Sequence, residues 1–330
     1  MKKILINGDD MSKKKSILLL LFFSPMIGEL LSGSAPPIEF FNPIGLIMLI
    51  SLYGCGALII REIVKRYNKG YFSVLLLGAA YGIWEEGIVV KSFFNPNWPD
   101  VGIYGTYGRF LGVNWIWSLE LTIYHAVISI LVPIIIVDIF YEDLRETQFL
   151  GKKGLSLAFS AFILDSFLLN ILTPYQPSFL HYIFTIIVIF LIGYFAVSLE
   201  FNCSGNLRIS AFRMKLLGFS WVTSFFLVFW LSPYIVPNVY FTIFLIVIQN
   251  SFFAYYLTKI DWKSLDLEHL YSIIFGILLF FIILAPIQEL DNPNRPDDTT
   301  GMSLVGIAIF IFLIILRKRI KKKKELQEAI

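Results

Sequence analysis

Residues 71–91 read YFSVLLLGAAYGIWEEGIVVK. The run carries no charge before Glu85-Glu86 and none between that pair and the closing Lys91. A helix rises about 1.5 Å per residue, so a stretch of this length crosses a hydrocarbon core of about 30 Å. It therefore reads as a transmembrane helix that carries two adjacent carboxylates into lipid. A charge at the bilayer centre costs about 2.5–3.5 kcal/mol or more, which makes such residues candidates for function.

The rest of the chain repeats the apolar pattern. Its 330 residues are 57% apolar and 15% charged, with a mean hydropathy of +0.74. A soluble domain carries about 25% charge, so that class is excluded. The 32 Phe and 2 Cys also exclude a disordered chain and a disulfide scaffold. Apolar runs at 16–33, 43–61, 71–91, 114–140, 154–173, 179–199, 215–235, 238–258, 268–287 and 302–316 predict an all-α fold. The expected architecture is a polytopic transmembrane helical bundle of about ten spans, because lipid offers no partner to an open sheet edge.

Charge placement orients the bundle. With the N-terminus inside, all but Lys91, Arg109 and Arg295 of the 27 basic residues fall in inner segments, as short cytoplasmic loops require. Both termini are then cytoplasmic, and the expected location is the cytoplasmic (plasma) membrane. The N-terminal MKKILINGDDMSKKK resembles a signal-peptide n-region, but the apolar run after it is long and lacks a clean cleavage site, so it reads as a retained first span. The basic tail 317–330 is expected to grip anionic lipid head groups and not nucleic acid. Cys55 lies mid-span and Cys203 in an inner loop, so no disulfide between them is expected.

Composition splits the chain in two. Residues 1–200 read as a polar-cored bundle of spans one to six with an outer loop at 92–113, and 201–330 as an apolar scaffold of spans seven to ten. Glu29, Glu85, Glu86, Glu120, His125, Asp165, Asn170 and His181 lie mid-span or toward the outer side, as for one polar cavity opening outward. Gly78, Gly82 and Glu86 recur at helical spacing on a small-residue stripe suited to close helix contact. Ser118, Thr122, His125 and Ser129 form a polar stripe on the next span. Asp138 and His269 read as solvated groups near the inner surface. The segment after Lys91 has turn-forming Asn95-Pro96-Asn97-Trp98-Pro99-Asp100, then glycines alternating with aromatics. It reads either as a lid over the cavity or as a compact interfacial loop.

Glu85, Glu86, His125 and His181 are the candidate catalytic residues. A carboxylate beside an imidazole in a dry pocket activates water, and the imidazole serves an oxyanion or leaving group. Such a set also suits a zinc ion with an open position, although no HExxH or paired CxxC supports one, and no cofactor is assigned. In the competing structural role, Glu85 and Glu86 pair with Lys91 or Arg109 and pin the outer loop.

Glu85-Glu86 on one span, His125 on the next and His181 two spans later resemble the motif order of the CAAX prenyl protease and bacteriocin-processing family of intramembrane proteases. That family has a Glu-Glu pair followed after three residues by Arg, then Phe-x-x-x-His, then His-x-x-x-Asn. Here Val90, Leu121 and Thr185 stand at the Arg, Phe and Asn positions. The resemblance implies an endopeptidase in which Glu85 or Glu86 activates water with His125 while His181 stabilises the oxyanion. The outward cavity implies a membrane-anchored or exported peptide substrate. Three other readings stay open: a transporter or channel using the Glu/His cluster for a cation or proton, a structural membrane protein, and a lipid-modifying enzyme. A transporter would need a polar route to the inner side, where the sequence offers little beyond Asp138.

Overall fold

A computed structural model describes residues 2–201, 205–295 and 297–328; Cys203 lies outside the described residues. Ten long helices follow one another: α1 Lys2–Pro25, α2 Pro43–Arg66, α3 Tyr71–Val89, α4 Trp115–Phe140, α5 Lys152–Leu172, α6 Phe179–Ser198, α7 Ala211–Ile235, α8 Val239–Lys259, α9 Leu267–Leu290 and α10 Met302–Glu328. The eight from α2 to α9 are long and apolar enough to cross a membrane. The first and tenth expected spans fall in α1 and α10, which join an apolar run to a basic one, so eight helices and not ten qualify on length and composition. The fold is an all-α polytopic helical bundle.

Helix formation here owes little to local propensity. Residues 127–139 of α4, VISILVPIIIVDI, are rich in β-branched side chains that in water favour strands. In lipid every backbone N–H and C=O needs an internal partner, and a lone segment meets that demand only as a helix.

The chain divides into two compact units. The first comprises Met1–Gly28, Pro43–Phe201 and Val236–Ile243. Its centre is α4, with 78% of its apolar window buried, while α5 and α6 bury 17% and 11% and present most of their surface outward. Gly78 and Gly82 of α3 receive α4 at close range. A Cβ on Gly78 would lie 2.9 Å from the Ala126 Cα, and one on Gly82 2.9 Å from the His125 Cβ. The small-residue stripe read from the sequence is thus the seat of the His125 segment. In the second unit, Glu29–Asn42, Asn202–Ile235 and Phe244–Ile330, α9 packs between α7 and α10. Phe226 stacks on Phe280 at 5.0 Å, and Trp221 Nε1 donates to Asn250 Oδ1 at 3.1 Å.

The loop at 92–113 is folded. A 3-10 turn at Gly102–Gly105 precedes β1 Arg109–Phe110 and β2 Val113–Asn114, which pair antiparallel. The two turn residues, Leu111 and Gly112, have φ of 51° and 76°, as a two-residue hairpin turn with matching twist requires. Phe93, Phe94, Val101 and Tyr104 are buried beneath it.

The contact at Gly78 gives a direct test. Gly78→Ala should lower the thermal unfolding midpoint in detergent, since overpacking against backbone costs about 1–3 kcal/mol. Gly193→Ala in α6, with open space around its Cβ, should leave the midpoint unchanged or raise it. Equal shifts in the two variants would remove close α3–α4 packing as the cause.

Candidate functional site

Wide π-helical turns continue α1 at Met26–Leu30 and occur in three further helices, at Ile50–Gly54, Glu85–Val89 and His125–Leu131. Such turns are rare and concentrate at functional sites. On α4 the cause is visible in the sequence. Pro133 has no N–H for the Ser129 carbonyl four residues back, and that carbonyl accepts from Ser24 Oγ at 2.7 Å instead. Ser24 also reaches the Tyr53 carbonyl at 3.1 Å, so one buried hydroxyl ties α1 to the wide turns of α2 and α4.

The wide turns of α2, α3 and α4 bring Tyr53, Glu85, Glu86, His125 and Ser129 together, all buried. His125 Nε2 lies 3.0 Å from Glu86 Oε1. Its Nδ1 lies 3.1 Å from Ser129 Oγ and 3.5 Å from Glu85 Oε2, so a carboxylate oxygen stands near each ring nitrogen. Tyr53 donates its hydroxyl to Glu85 Oε1, and Ser92 donates to Glu86 Oε2. Trp117 Nε1 in turn donates to Ser92 Oγ at 3.0 Å. The ring of Tyr81 closes the cluster, edge-on to Tyr53 and His125 at 5.8 and 6.0 Å.

The expected ion pairs of the two glutamates do not form. Lys91, wholly buried, donates to the carbonyls of Asn170 and Thr173 at 2.6 and 2.7 Å, where the α5 helix end leaves acceptors free. Arg109 donates to the carbonyls of Phe94 and Gly112 within the loop. Neither Glu85 nor Glu86 has a Lys or Arg nitrogen within ion-pair distance among the described residues; the titratable neighbour they share is His125. Glu85 Oε2 is buried without a hydrogen-bond donor.

His181 stands apart from this cluster. Its Nδ1 pairs with Ser178 Oγ at 2.8 Å and its Nε2 with the Leu111 carbonyl at 2.9 Å, while its ring lies 4.7 Å from that of Phe94. It anchors the hairpin. Ser118 returns to its own Asn114 carbonyl at 2.6 Å, so of the polar stripe on α4 only His125 and Ser129 reach the cluster. Glu120 is buried with no hydrogen bond to either oxygen, and Asp165 Oδ2 is likewise unbonded. Ser166 and Asn170 on α5 hold the Glu-Glu segment in place, through Trp84 Nε1 at 3.1 Å and the Ile88 carbonyl at 2.6 Å.

The other end of the same helices corrects the sequence reading. Asp138 is not solvated: it is buried and takes Arg61 Nε and Nη2 at 3.2 and 3.1 Å and the Tyr71 hydroxyl at 3.1 Å. Arg61 is fully buried, its other bonds going to the carbonyls of Leu144, Arg145 and Thr147. His269 caps α9 with Asp266 and meets the Ile209 carbonyl at 2.9 Å.

Ligand atoms of Glu85, Glu86 and His125 lie within 4.8 Å of one another, a spacing that suits a metal ion. The same atoms form a hydrogen-bonded carboxylate–imidazole pair flanked by a second carboxylate. The molecule is a multi-pass membrane protein with a buried carboxylate–imidazole centre. It belongs to an uncharacterized membrane protein family, whose model matches residues 18–288. It is similar to an uncharacterized protein of Archaeoglobus fulgidus, 27% identical over 128 residues that make up 38% of each chain. The chain thus spans well under half the length of that relative. No solved structure matches it.

The Ser92 bridge carries a testable cost. Ser92→Ala strands Trp117 Nε1 and Glu86 Oε2 in a dry interior, a penalty of about 1–3 kcal/mol, and should lower the unfolding midpoint. Ser92→Thr, which keeps the hydroxyl, should recover most of the loss; equal losses would point to shape alone.

Proposed function

We propose that the chain is an intramembrane endopeptidase whose water is activated by the Glu85–Glu86 pair with His125. The observation that carries this reading is the 3.0 Å contact of His125 Nε2 with Glu86 Oε1, with Glu85 at the other ring nitrogen and, among the described residues, no Lys or Arg within ion-pair distance of either carboxylate. A purely structural buried carboxylate is ordinarily matched by a cation, as Asp138 is by Arg61.

In this mechanism Glu86 takes a proton from water as the oxygen attacks the peptide carbonyl and passes it across the 3.0 Å contact to His125. His125 delivers that proton to the nitrogen as the C–N bond breaks, so the products are an acid and an amine and both groups return to their starting states. Tyr53 and Ser92 hold the far oxygens of the two carboxylates, which fixes the near oxygens toward the ring. The substrate class is a membrane-anchored or exported peptide. His181 serves as a loop anchor in this scheme.

A second reading rests on a separate observation, the three ligand atoms within 4.8 Å. A zinc ion held by Glu85, Glu86 and His125 would keep an open position for water and lower its pKa, with Tyr53 and Ser92 orienting the ligands.

The test uses the full chain in proteoliposomes with a fluorogenic membrane-anchored peptide. Glu86→Gln and His125→Ala should each lower cleavage by about 10²–10⁴-fold, the usual contribution of a positioned acid or base, while His181→Ala should lower it less than about tenfold. Cleavage by Glu86→Gln at the unmodified rate would end the hydrolase reading. Loss of cleavage with 1,10-phenanthroline and its return with zinc would select the metal form; insensitivity would select the metal-free one.

A further inference from the structure

At the other end of the first unit's helices, α2 ends, α3 begins and α4 ends around an enclosure of about 80 Å³. The basic side chains of its wall, Arg61, Lys65, Lys69 and Arg145, are faced by Tyr71, Asp138 and Glu146. On this measure one water needs about 10–15 Å³, so the space admits several waters or a small tetrahedral ion.

The hydrogen bonds of this enclosure do not balance. Both acceptor oxygens of Asp138 are taken, one by Arg61 and one by the Tyr71 hydroxyl. The donors are in excess. Lys65 gives one bond, to Glu146 Oε2 at 3.0 Å, and Lys69 gives one, to the Leu199 carbonyl at 3.0 Å, though an ammonium offers three. Arg145 makes no side-chain hydrogen bond; its Nε is buried without an acceptor, and its guanidinium lies 5.4 Å over the Tyr71 ring. The charge is also unbalanced. Asp138 is paired directly with Arg61, and among the described residues the carboxylate within ion-pair distance of Lys65 and Arg145 is that of Glu146, whose side chain is 76% exposed, while Lys69 has none.

We infer that this enclosure binds a phosphate-type oxyanion through Lys65, Lys69 and Arg145. Several spare donors and a positive surplus, set against the single exposed carboxylate of Glu146, fit a ligand that only accepts, with several oxygens at once. A cationic ligand would leave the donors unanswered, and a neutral one would leave the positive charge unanswered. The site lies where three apolar helices end, the depth of phospholipid head groups, and basic pockets between spans are suited to them. Inorganic phosphate offers the same chemistry from solvent. Arg61, immobilised by Asp138 and three carbonyls, forms a rigid back wall.

The test titrates the full chain in zwitterionic nanodiscs with phosphatidylglycerol and, separately, with inorganic phosphate. Binding of at least one is expected, and in a background where Lys321, Lys322, Lys323 and Lys324 are all replaced by Ala, which removes the tail's own grip on anionic head groups, the Lys65→Ala/Lys69→Ala/Arg145→Ala change should weaken it at least tenfold. Phosphatidylglycerol binding without phosphate binding identifies a lipid head group as the source; binding of both identifies a general oxyanion site. If the triple variant does not fold, Lys69→Ala, which gives up one carbonyl contact, should weaken binding about threefold. Binding of neither probe, unchanged binding in the pocket variants, or loss only in the tail variant would overturn the inference.

Discussion

A carboxylate oxygen near each nitrogen of His125 is the contact around which the first unit is arranged. Two carboxylates and an imidazole in a lipid-embedded core are tolerable only if their remaining polar atoms are answered from within the protein. Tyr53 and Ser92 answer the outer oxygens of the glutamates, Trp117 answers Ser92, and Ser129 shares one nitrogen of the imidazole. Those groups come from α2, α3, α4 and the start of the 92–113 loop. The cluster therefore acts as a registry device among three helices, since each must present one side chain at one depth.

The wide turns are how the backbone meets that requirement. A regular α-helix places side chains about 100° apart, and an added residue in a π turn shifts all that follows. Tyr53, Glu85 and His125 each sit in such a turn. The carbonyls loosened near Tyr53 and Ser129 are met by a single side chain, Ser24. Backbone irregularity inside a membrane is tolerated where protein buries it, and here it lies against the cluster it serves.

The sequence pattern made some of this legible and hid the rest for identifiable reasons. Gly78, Gly82 and Glu86 could be read because α3 keeps its helical period up to Trp84. Glu85, Glu86 and His125 were legible as charges that lipid penalises. Tyr53 was not, since one tyrosine among apolar neighbours carries no periodic signal, and Ser92 fell just past a span end. Arg61 counted among the basic residues of an inner segment, yet α2 runs on to Arg66 and buries it. Sequence distance favoured Lys91 and Arg109 as partners for the glutamates. The bare carbonyls at the end of α5 claim Lys91, and those of the hairpin claim Arg109. The place of His181 depends on a two-residue turn whose tip, Leu111, no periodicity locates.

Lys91 also fixes a depth. Its backbone takes a left-handed conformation, φ 61°, that ends α3, and its ammonium occupies the carbonyls that end α5. One residue thus stops two neighbouring helices at the same level, like a shared hem along one edge of the bundle. Glu86 lies five residues before that hem and Ser92 directly after it. The distance from the membrane boundary to the carboxylates is then set by covalent spacing within a single segment. A bilayer that thickens or thins would carry this edge and the buried cluster together as one piece, and the fit between the chain and its lipid would be taken up elsewhere.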